Sequence, residues 1–523
     1  MNIPSHSQDG LFWWISNKGI VKLNLILLLS LISSCSCGYD TSMMNGLQSL
    51  DTWKEAFNHP GPTQLGLLNA VQNIGQLLSL PFCSQFCDTF GRRRALLISA
   101  VVILVGAALQ GGAVNSSMFM VARGIIGFGL ALNITAAPLL IIELAYPSQG
   151  AVLTGIYNSL FGLGALAAAW ITYGSFRLNN DWAWRIPSLL QGSSSAIQVG
   201  LGFLVDESPR WLMSVDRVDE ARALIVKYHA NGHEDDPIVA HELHSINAAL
   251  RADSETGSYL DFFRTPGNRR RFYTIVAVSF FSQWSGNGII SYYLTLLLDS
   301  VGFKTQDIQT LINALMTLWG MIVSIGFSLV VNRFRRRTLF LVSTAGCCVC
   351  YVIWTVLEAI YEKSVQTNGG SLDENVNEGD GRVAIGVIVM IFIFTFFYSV
   401  GWGTLQIAYP LEILPFHLRA RGLVLYNLFC ALALIFNQYV NPAGIASIGW
   451  KFYIVYDVWI FIELVTVYFL FVETTGEADL EEVAAIFDRE KKDDSDTRLS
   501  FQLALELTIQ LLVGLIVELD RVY

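Results

Sequence analysis

The side chains best suited to chemistry are charged groups at the edges of apolar runs, and they occur twice in the same order. Asp88-Thr-Phe-Gly-Arg-Arg93 returns as Asn332-Arg-Phe-Arg-Arg-Arg337, and Glu143 with Pro147 returns as Glu412 with Pro415. Asp206-Glu-Ser-Pro-Arg210 is echoed by Val472-Glu-Thr-Thr-Gly476. Carboxylates placed beside guanidiniums at helix ends make charge-assisted hydrogen bonds. Asp88, Arg92, Arg93, Glu143, Glu207 and Arg210 in one half, and Arg336, Arg337, Glu412, Arg419 and Glu473 in the other, are therefore expected to form gating charge networks that latch one face shut. The plainer reading is topological: arginine clusters hold loops on the cytoplasmic side whether or not they gate. A different signal is Asp40, which directly follows the first apolar run and sits at or within a membrane near its outer face. An intramembrane carboxylate is costly and is functional by default. Arg123, near the start of the fourth run and toward the same side, is its natural partner; a structural ion pair or a helix-capping role for Asp40 is the alternative.

The elements that must position these groups are helices in a bilayer. The 523 residues are 53% hydrophobic and only 15% charged, with a mean hydropathy of +0.48, so lipid must cover much of the surface. Runs long enough to cross a ~30 Å hydrocarbon core cover Val21–Tyr39, Gln64–Phe86, Ala95–Val114, Met118–Ile142, Ala151–Tyr173 and Arg185–Val205. They continue over Phe272–Leu298, Ile308–Val331, Thr338–Tyr361, Val383–Gln406, Gly422–Pro442 and Lys451–Val472. The expected fold is all-α and polytopic, with twelve transmembrane helices in two six-helix bundles. None of the runs alternates as the strands of a membrane barrel do. The repeated charge motifs fall at matching helix positions, as in carriers built from duplicated halves with a midplane site.

Arg92, Arg93 and Arg94, the cluster Arg333 to Arg337, and Arg419 with Arg421 mark the cytoplasmic loops. With an even helix count, both termini are then cytoplasmic. Five regions follow: an N-terminus (1–20), a first bundle (21–205), a charged linker of short amphipathic helices (206–271), a second bundle (272–472) and a tail (473–523). The start lacks the n-region, short apolar core and cleavage site of a secretory signal, so the first run is expected to remain as a helix. The apolar tail stretch Leu499–Val517 carries Glu506 and Gln510, which favours an amphipathic surface helix. A sequon at Asn115-Ser-Ser lies in a very short outer loop, too close to the bilayer for ready glycosylation.

Other functions find little material. The net charge of −10 gives no affinity for nucleic acid. The eight cysteines lie in or beside apolar runs without metal-site spacing, and the histidines His6, His59, His229, His233, His241, His244 and His417 lie in loops, at the N-terminus or at a helix end. No metal, cofactor or enzymatic activity is expected.

From about Gly38 to Asp488 the chain resembles the sugar porter family of the major facilitator superfamily, particularly fungal members similar to lactose permeases and hexose transporters. The resemblance rests on Gly38-Tyr-Asp40, Asp88-Thr-Phe-Gly-Arg-Arg93, Arg123-Gly-Ile-Ile-Gly127, Glu143-Leu-Ala-Tyr-Pro147, Trp184-Arg-Ile-Pro187, Glu207-Ser-Pro-Arg-Trp-Leu212, Gln283-Trp-Ser-Gly286 with Tyr292-Tyr293, and Val472-Glu-Thr-Thr-Gly476. It implies a plasma-membrane sugar transporter working by alternating access. In proton-coupled members the Asp and Arg matching Asp40 and Arg123 form the protonation switch, which implies sugar, protons and the lipid bilayer as partners. A facilitative uniporter and a non-transporting sugar receptor or sensor stay open beside proton symport.

Sugars are uncharged and rich in hydroxyls, so their sites need fixed amides and hydroxyls with aromatic faces against the ring. The resemblance points to Asn158, Gln283, Asn287, Asn313 and Asn427 as candidate amides for substrate contact, Gln283 and Asn313 foremost, with an inter-helix hydrogen bond the alternative for each, and to Tyr292, Tyr293 and Trp402 as gate or stacking surface. Several family positions are changed. Ser282 replaces a glutamine, Gly288 an asparagine, Ser399 an acid and Ile407 a tryptophan, while Cys430 and Leu434 replace asparagines, with Asn437 nearby. The smaller polar set implies a roomier cavity and tilts the expected substrate toward a disaccharide of lactose or cellobiose type over a hexose. Gly150, Asn332 and Arg335 also depart from the pattern of the charge networks, and are expected to weaken them.

Overall fold

All of the expected runs fold as helix in the computed structural model, which describes residues 17–254, 259–367 and 381–474. The first half contains α1 (Lys18–Leu31), α2 (Ser33–Leu47), α3 (Asp51–Ala56), α4 (Pro62–Phe90), α5 (Arg92–Gly111) and α6 (Ser116–Leu144). It continues through α7 (Gly150–Ser175), α8 (Trp182–Leu190) and α9 (Ser193–Leu201) to the short helices α10 (Pro209–Ser214), α11 (Val218–Tyr228) and α12 (Pro237–Ser254). The second half contains α13 (Asp261–Arg264), α14 (Pro266–Trp284), α15 (Asn287–Ser300), α16 (Gln306–Val330) and α17 (Arg336–Thr367). It closes with α18 (Gly381–Val400), α19 (Trp402–Leu405), α20 (Ala408–Ile413), α21 (Phe416–Ile448) and α22 (Lys451–Leu470). The chain divides near residue 256 into two compact units, residues 61–66 grouping with the second. The expected tail helix at 499–517 lies outside the described residues.

Nine helical stretches among the described residues are long and apolar enough to cross a membrane. The other three of the twelve expected runs are helices whose apolar length is diluted or cut. Asn69, Gln72, Asn73 and Gln76 lower the hydropathy of α4. The run at 185–205 is divided between α8 and α9 at Gln191 and Gly192, and the run at 272–298 between α14 and α15 at Ser285 and Gly286. Gly286 adopts φ 91°, a left-handed conformation open to glycine at little cost. Broken spans are tolerated where neighbouring protein groups satisfy the freed backbone.

Helix starts follow local chemistry. Asn115 Oδ1 accepts the Met118 N–H at 2.7 Å at the head of α6, so the sequon asparagine is a helix cap. Ser208 caps α10, its Oγ accepting the Trp211 N–H at 3.1 Å, with Pro209 in the first turn. Inside the first half, backbones approach closely through small residues, as membrane helices without a hydrophobic drive between them require. A Cβ on Gly38 of α2 would lie 1.9 Å from the Phe161 carbonyl of α7, and one on Gly164 would lie 2.1 Å from that of Cys35. The outer faces carry apolar side chains such as Leu329, Leu78 and Val152.

Candidate functional site

The repeated charged motifs build the same object in each half. In the first, the Arg92 guanidinium at the start of α5 donates through Nε to Glu143 Oε2 at 3.0 Å and through Nη2 to Oε1 at 3.3 Å. Its Nη1 donates to the Cys87 carbonyl and lies 3.2 Å from both that oxygen and Asp88 Oδ1. Glu207 Oε1 accepts the backbone N–H groups of Arg93 and Ser208, both at 3.0 Å. The Ser208 hydroxyl donates to Glu143 Oε2 at 2.5 Å, joining the two acids.

In the second half Arg336 donates through Nε to Glu412 Oε1 at 3.2 Å and through Nη1 to the Val331 carbonyl at 3.0 Å. Glu473 accepts the Arg336 and Arg337 N–H groups at 2.8 and 3.2 Å. Thr474 Oγ1 donates to Glu412 Oε2 at 2.6 Å, the counterpart of Ser208. Glu207 and Glu473 thus cap the otherwise unpaired first N–H groups of α5 and α17, where negative charge also meets the positive end of the dipole. Arg419 donates through Nε to the Leu414 carbonyl at 3.0 Å, and Arg210 is half-buried at the head of α10.

The departures at Gly150 and Arg335 leave these networks intact, and the side chain of Asn332 lies outside what the structure describes. Gly91 takes φ 92° and packs so that a Cβ would lie 2.4 Å from Glu207 Oε2. Arg335 stands at the equivalent place in the second half without a positive φ, so the chain there reaches Glu473 by a different path. Nothing lies within 4 Å of a Cβ built on Gly150, and Glu143 is satisfied by Arg92 and Ser208 without an arginine at that position.

Asp40 and Arg123 are brought together as expected, both almost fully buried, with Nη1 3.8 Å from Oδ1. That exceeds the ~2.7–2.9 Å of a direct charge-assisted hydrogen bond, and two amides hold the closer places. Gln191 Nε2 donates to Asp40 Oδ1, and Arg123 Nη2 donates to Gln72 Oε1. The cluster joins α2, α4, α6 and the break between α8 and α9. Gln72 and Gln191 were not foreseen. Their signal, polar residues inside apolar runs, is the one that singled out Asp40.

In the second half the amides gather where α14 and α15 part. Asn437 Nδ2 of α21 donates to the Gln283 carbonyl at 2.9 Å, and Gln283 Nε2 donates to Ser282 Oγ at 3.1 Å. Asn287 Nδ2 donates to Tyr398 Oη at 3.0 Å, and that hydroxyl donates to the Ser282 carbonyl at 2.6 Å. Tyr456 Oη lies 2.9 Å from Asn437 Oδ1 and 2.6 Å from Asn441 Oδ1. Asn287 Oδ1 is buried without a hydrogen-bond partner, an unfilled acceptor among hydroxyl and amide groups. Tyr292 is half-buried on α15 and Asn313 buried on α16.

Four expected contacts fall elsewhere. Asn158 of α7 and Asn427 of α21 are exposed on their own halves, outside this cluster. Trp402 is fully buried against Phe281, Phe340 and Phe471, with its Nε1 donating to Thr344 Oγ1 at 3.1 Å. Tyr293 is also fully buried and donates to the Gln438 carbonyl. Both rings are covered in this structure, so each packs the core where an exposed stacking face was expected.

Two further carboxyls lie inside the second half. Glu463 of α22 is fully buried, with its Oε2 2.7 Å from the Ser285 hydroxyl. Glu358 of α17 is 3% exposed, and its Oε1 contacts the Ser300 hydroxyl. Neither forms an ion pair among the described residues. Both sit in otherwise apolar stretches, the signal that could have found them.

Duplicated helical halves with repeated charged ends, buried polar clusters and apolar outer faces define a multi-pass membrane transporter, not an enzyme. The model of the sugar (and other) transporter family matches residues 26–487, and the chain belongs to that family, within the sugar porters of the major facilitator superfamily. It is 26% identical over 486 residues to a high-affinity glucose transporter of Kluyveromyces lactis, covering 89% of this chain and 85% of that one. To the MFS-type transporter criB of Aspergillus cristatus it is 25% identical over 480 residues, covering 89% and 94%. The inward-open xylose transporter XylE of E. coli has the same fold, with a TM-score of 0.71 at 19% identity over 89% of this chain and 99% of that one.

Proposed function

We propose that the chain imports a sugar together with a proton by alternating access, in the plasma membrane with both termini cytoplasmic. The observation that carries the coupling is the buried Asp40–Arg123 pair, held 3.8 Å apart with an amide on each member. Protonating Asp40 cancels the attraction to Arg123 while Gln191 still has an oxygen to bond, and Arg123 keeps Gln72. The pair can therefore open without stranding either group, as a switch requires. The substrate reading rests on the uncharged amide and hydroxyl cluster around Gln283, Asn287, Asn437 and Tyr398, which suits a polyol surface and offers no countercharge to an ion. Transport of glucose by the Kluyveromyces relative supports a sugar, and the small residues Ser282, Ser399 and Cys430 support a disaccharide of lactose or cellobiose type over a hexose. The repeated arginine–glutamate networks serve as the gate charges at one end of each half.

Radiolabelled uptake in cells lacking their own sugar carriers tests this. Wild type is expected to accumulate a disaccharide and to lose accumulation on adding an uncoupler, and Asp40→Asn to lose accumulation while retaining exchange. Uptake that ignores the uncoupler makes the chain a uniporter. Binding without uptake of any sugar makes it a receptor.

A further inference from the structure

The segment that runs from Ser285, which ends α14, to Ser300, which ends α15, is fastened at both ends in the same way. At its head, the Ser285 hydroxyl oxygen lies 2.5 Å from the Phe281 carbonyl and 2.7 Å from Glu463 Oε2. At its tail, the Ser300 hydroxyl oxygen lies 2.7 Å from the Leu297 carbonyl and in short contact with Glu358 Oε1. A hydroxyl has one hydrogen, and it cannot serve a carbonyl and a carboxylate at full strength together. The shortage disappears if the carboxyl carries a proton. The acid then donates to the serine oxygen, and the serine donates to the carbonyl. Burial agrees, since an ionised carboxylate enclosed without a cation costs far more than its neutral form.

The geometry points to two further proton-binding sites in the second half, the carboxyl groups of Glu463 and Glu358, which donate their protons to Ser285 at the end of α14 and Ser300 at the end of α15 respectively. This stands independently of coupling through Asp40. Its consequence is a proton-dependent clasp at each end of the break-containing stretch: Ser285 ends α14 just before the left-handed Gly286, and Ser300 ends α15, which is interrupted at Tyr293, whose φ and ψ of −136° and 26° are not helical. Losing either proton leaves a buried carboxylate facing a hydroxyl whose hydrogen is committed elsewhere, and that helix end is released.

The surroundings of each acid offer no alternative counter-ion. Titratable neighbours of Glu463 are Cys347 and Cys348 of α17, Tyr398 of α18 and Tyr456 of its own helix. Towards this helix α14 presents Ser285, and α21 presents the neutral amides Asn437 and Asn441. Around Glu358 stand Tyr453 of α22 and Glu362 one turn along α17. Beside it α18 packs through Gly386 against Leu357. Glu358 and Ser300 also line a cavity of about 210 Å³ with Tyr361, Glu362 and Trp450, a space through which water can exchange the proton.

Infrared spectroscopy of the purified full-length protein in lipid tests the assignment. At neutral pH the C=O stretching band of a protonated carboxylic acid is expected to be lost in Glu463→Gln and in Glu358→Gln, each measured against wild type. On alkaline titration both bands should vanish from the wild type together with sugar exchange, while the double glutamine variant, which mimics the protonated acids, should keep exchange to higher pH. If no carboxylic acid band disappears in either variant, the acids are ionised and the inference is overturned. Should a glutamine variant fail to reach the membrane folded, Ser285→Ala and Ser300→Ala give a second reading. The band must shift when its hydrogen-bond acceptor is removed, and an unshifted band overturns the assignment equally.

Discussion

At the arginine-bearing ends the two halves are near copies, whereas inside the membrane they solve the problem of a buried carboxylate differently. Arg92 with Glu143, Glu207 and Ser208 in the first half matches Arg336 with Glu412, Glu473 and Thr474 in the second, partner for partner though not in every bond. In the interior, Asp40 meets a guanidinium, while Glu463 and Glu358 meet neutral groups, the hydroxyls of Ser285 and Ser300 and the indoles of Trp459 and Trp354. The ends are constrained by helix geometry, because unpaired N–H groups at a helix start need an acceptor wherever they occur. The interiors have no such shared demand, so each could take on its own chemistry.

The sharpest way to break the contrast is to remove the cation. Arg123→Ala leaves Asp40 enclosed without a countercharge, and the expected cost is about 3–5 kcal/mol, read as a fall in melting temperature in detergent. Asp40→Asn in the same chain should restore most of the loss. If Arg123→Ala melts like wild type, Asp40 is already neutral and the halves do not differ.

The likeness of the ends is tested by matched substitutions. Glu207→Ala and Glu473→Ala each remove an acceptor of backbone N–H groups, and should each cost about 1.5–3 kcal/mol and agree with one another. A large difference between them would show that only one network bears on stability.

A smaller effect separates the two paths into these networks. Gly91→Ala must force a Cβ towards Glu207 Oε2 from a backbone at φ 92°, at an expected cost of about 1–3 kcal/mol. Arg335→Ala at the equivalent position should stay within about 0.5 kcal/mol.

The smallest effect lies in the first half's appended helices, which have no repeat in the second among the described residues. Partial burial pushes the Asp206 carboxyl up, but hydrogen bonds from Lys227 and Tyr228 more than offset this and hold it below its ordinary value. Its contribution is therefore present above about pH 4 and lost as pH falls through the depressed folded value. Lys227 is correspondingly held above its ordinary value, burial working against it and Asp206 outweighing burial, so its share is lost only as pH rises past about 10.4. Asp206→Asn should lower stability by no more than about 1 kcal/mol, with a flat response between these limits.

The sequence by itself determined the all-helical membrane fold, its duplication and the acid–arginine partners at the helix ends. These follow from run length, composition and local order, and each capped helix end finds its acid two repeated motifs further along the chain. It also located Asp40 and Arg123, since charge within an apolar run is conspicuous. Only the tertiary structure decided that Gln72 and Gln191 stand between them, that the runs at 185–205 and 272–298 are broken, and that Trp402 and Tyr293 are covered while Asn287 keeps a free acceptor. Such facts depend on which faces of distant helices meet, and an amide or ring has the same hydropathy whether it turns to a cavity, a core or a neighbour. The proton inventory at Ser285 and Ser300 is the extreme case, because it depends on three oxygen atoms from two helices lying within hydrogen-bond reach of one another.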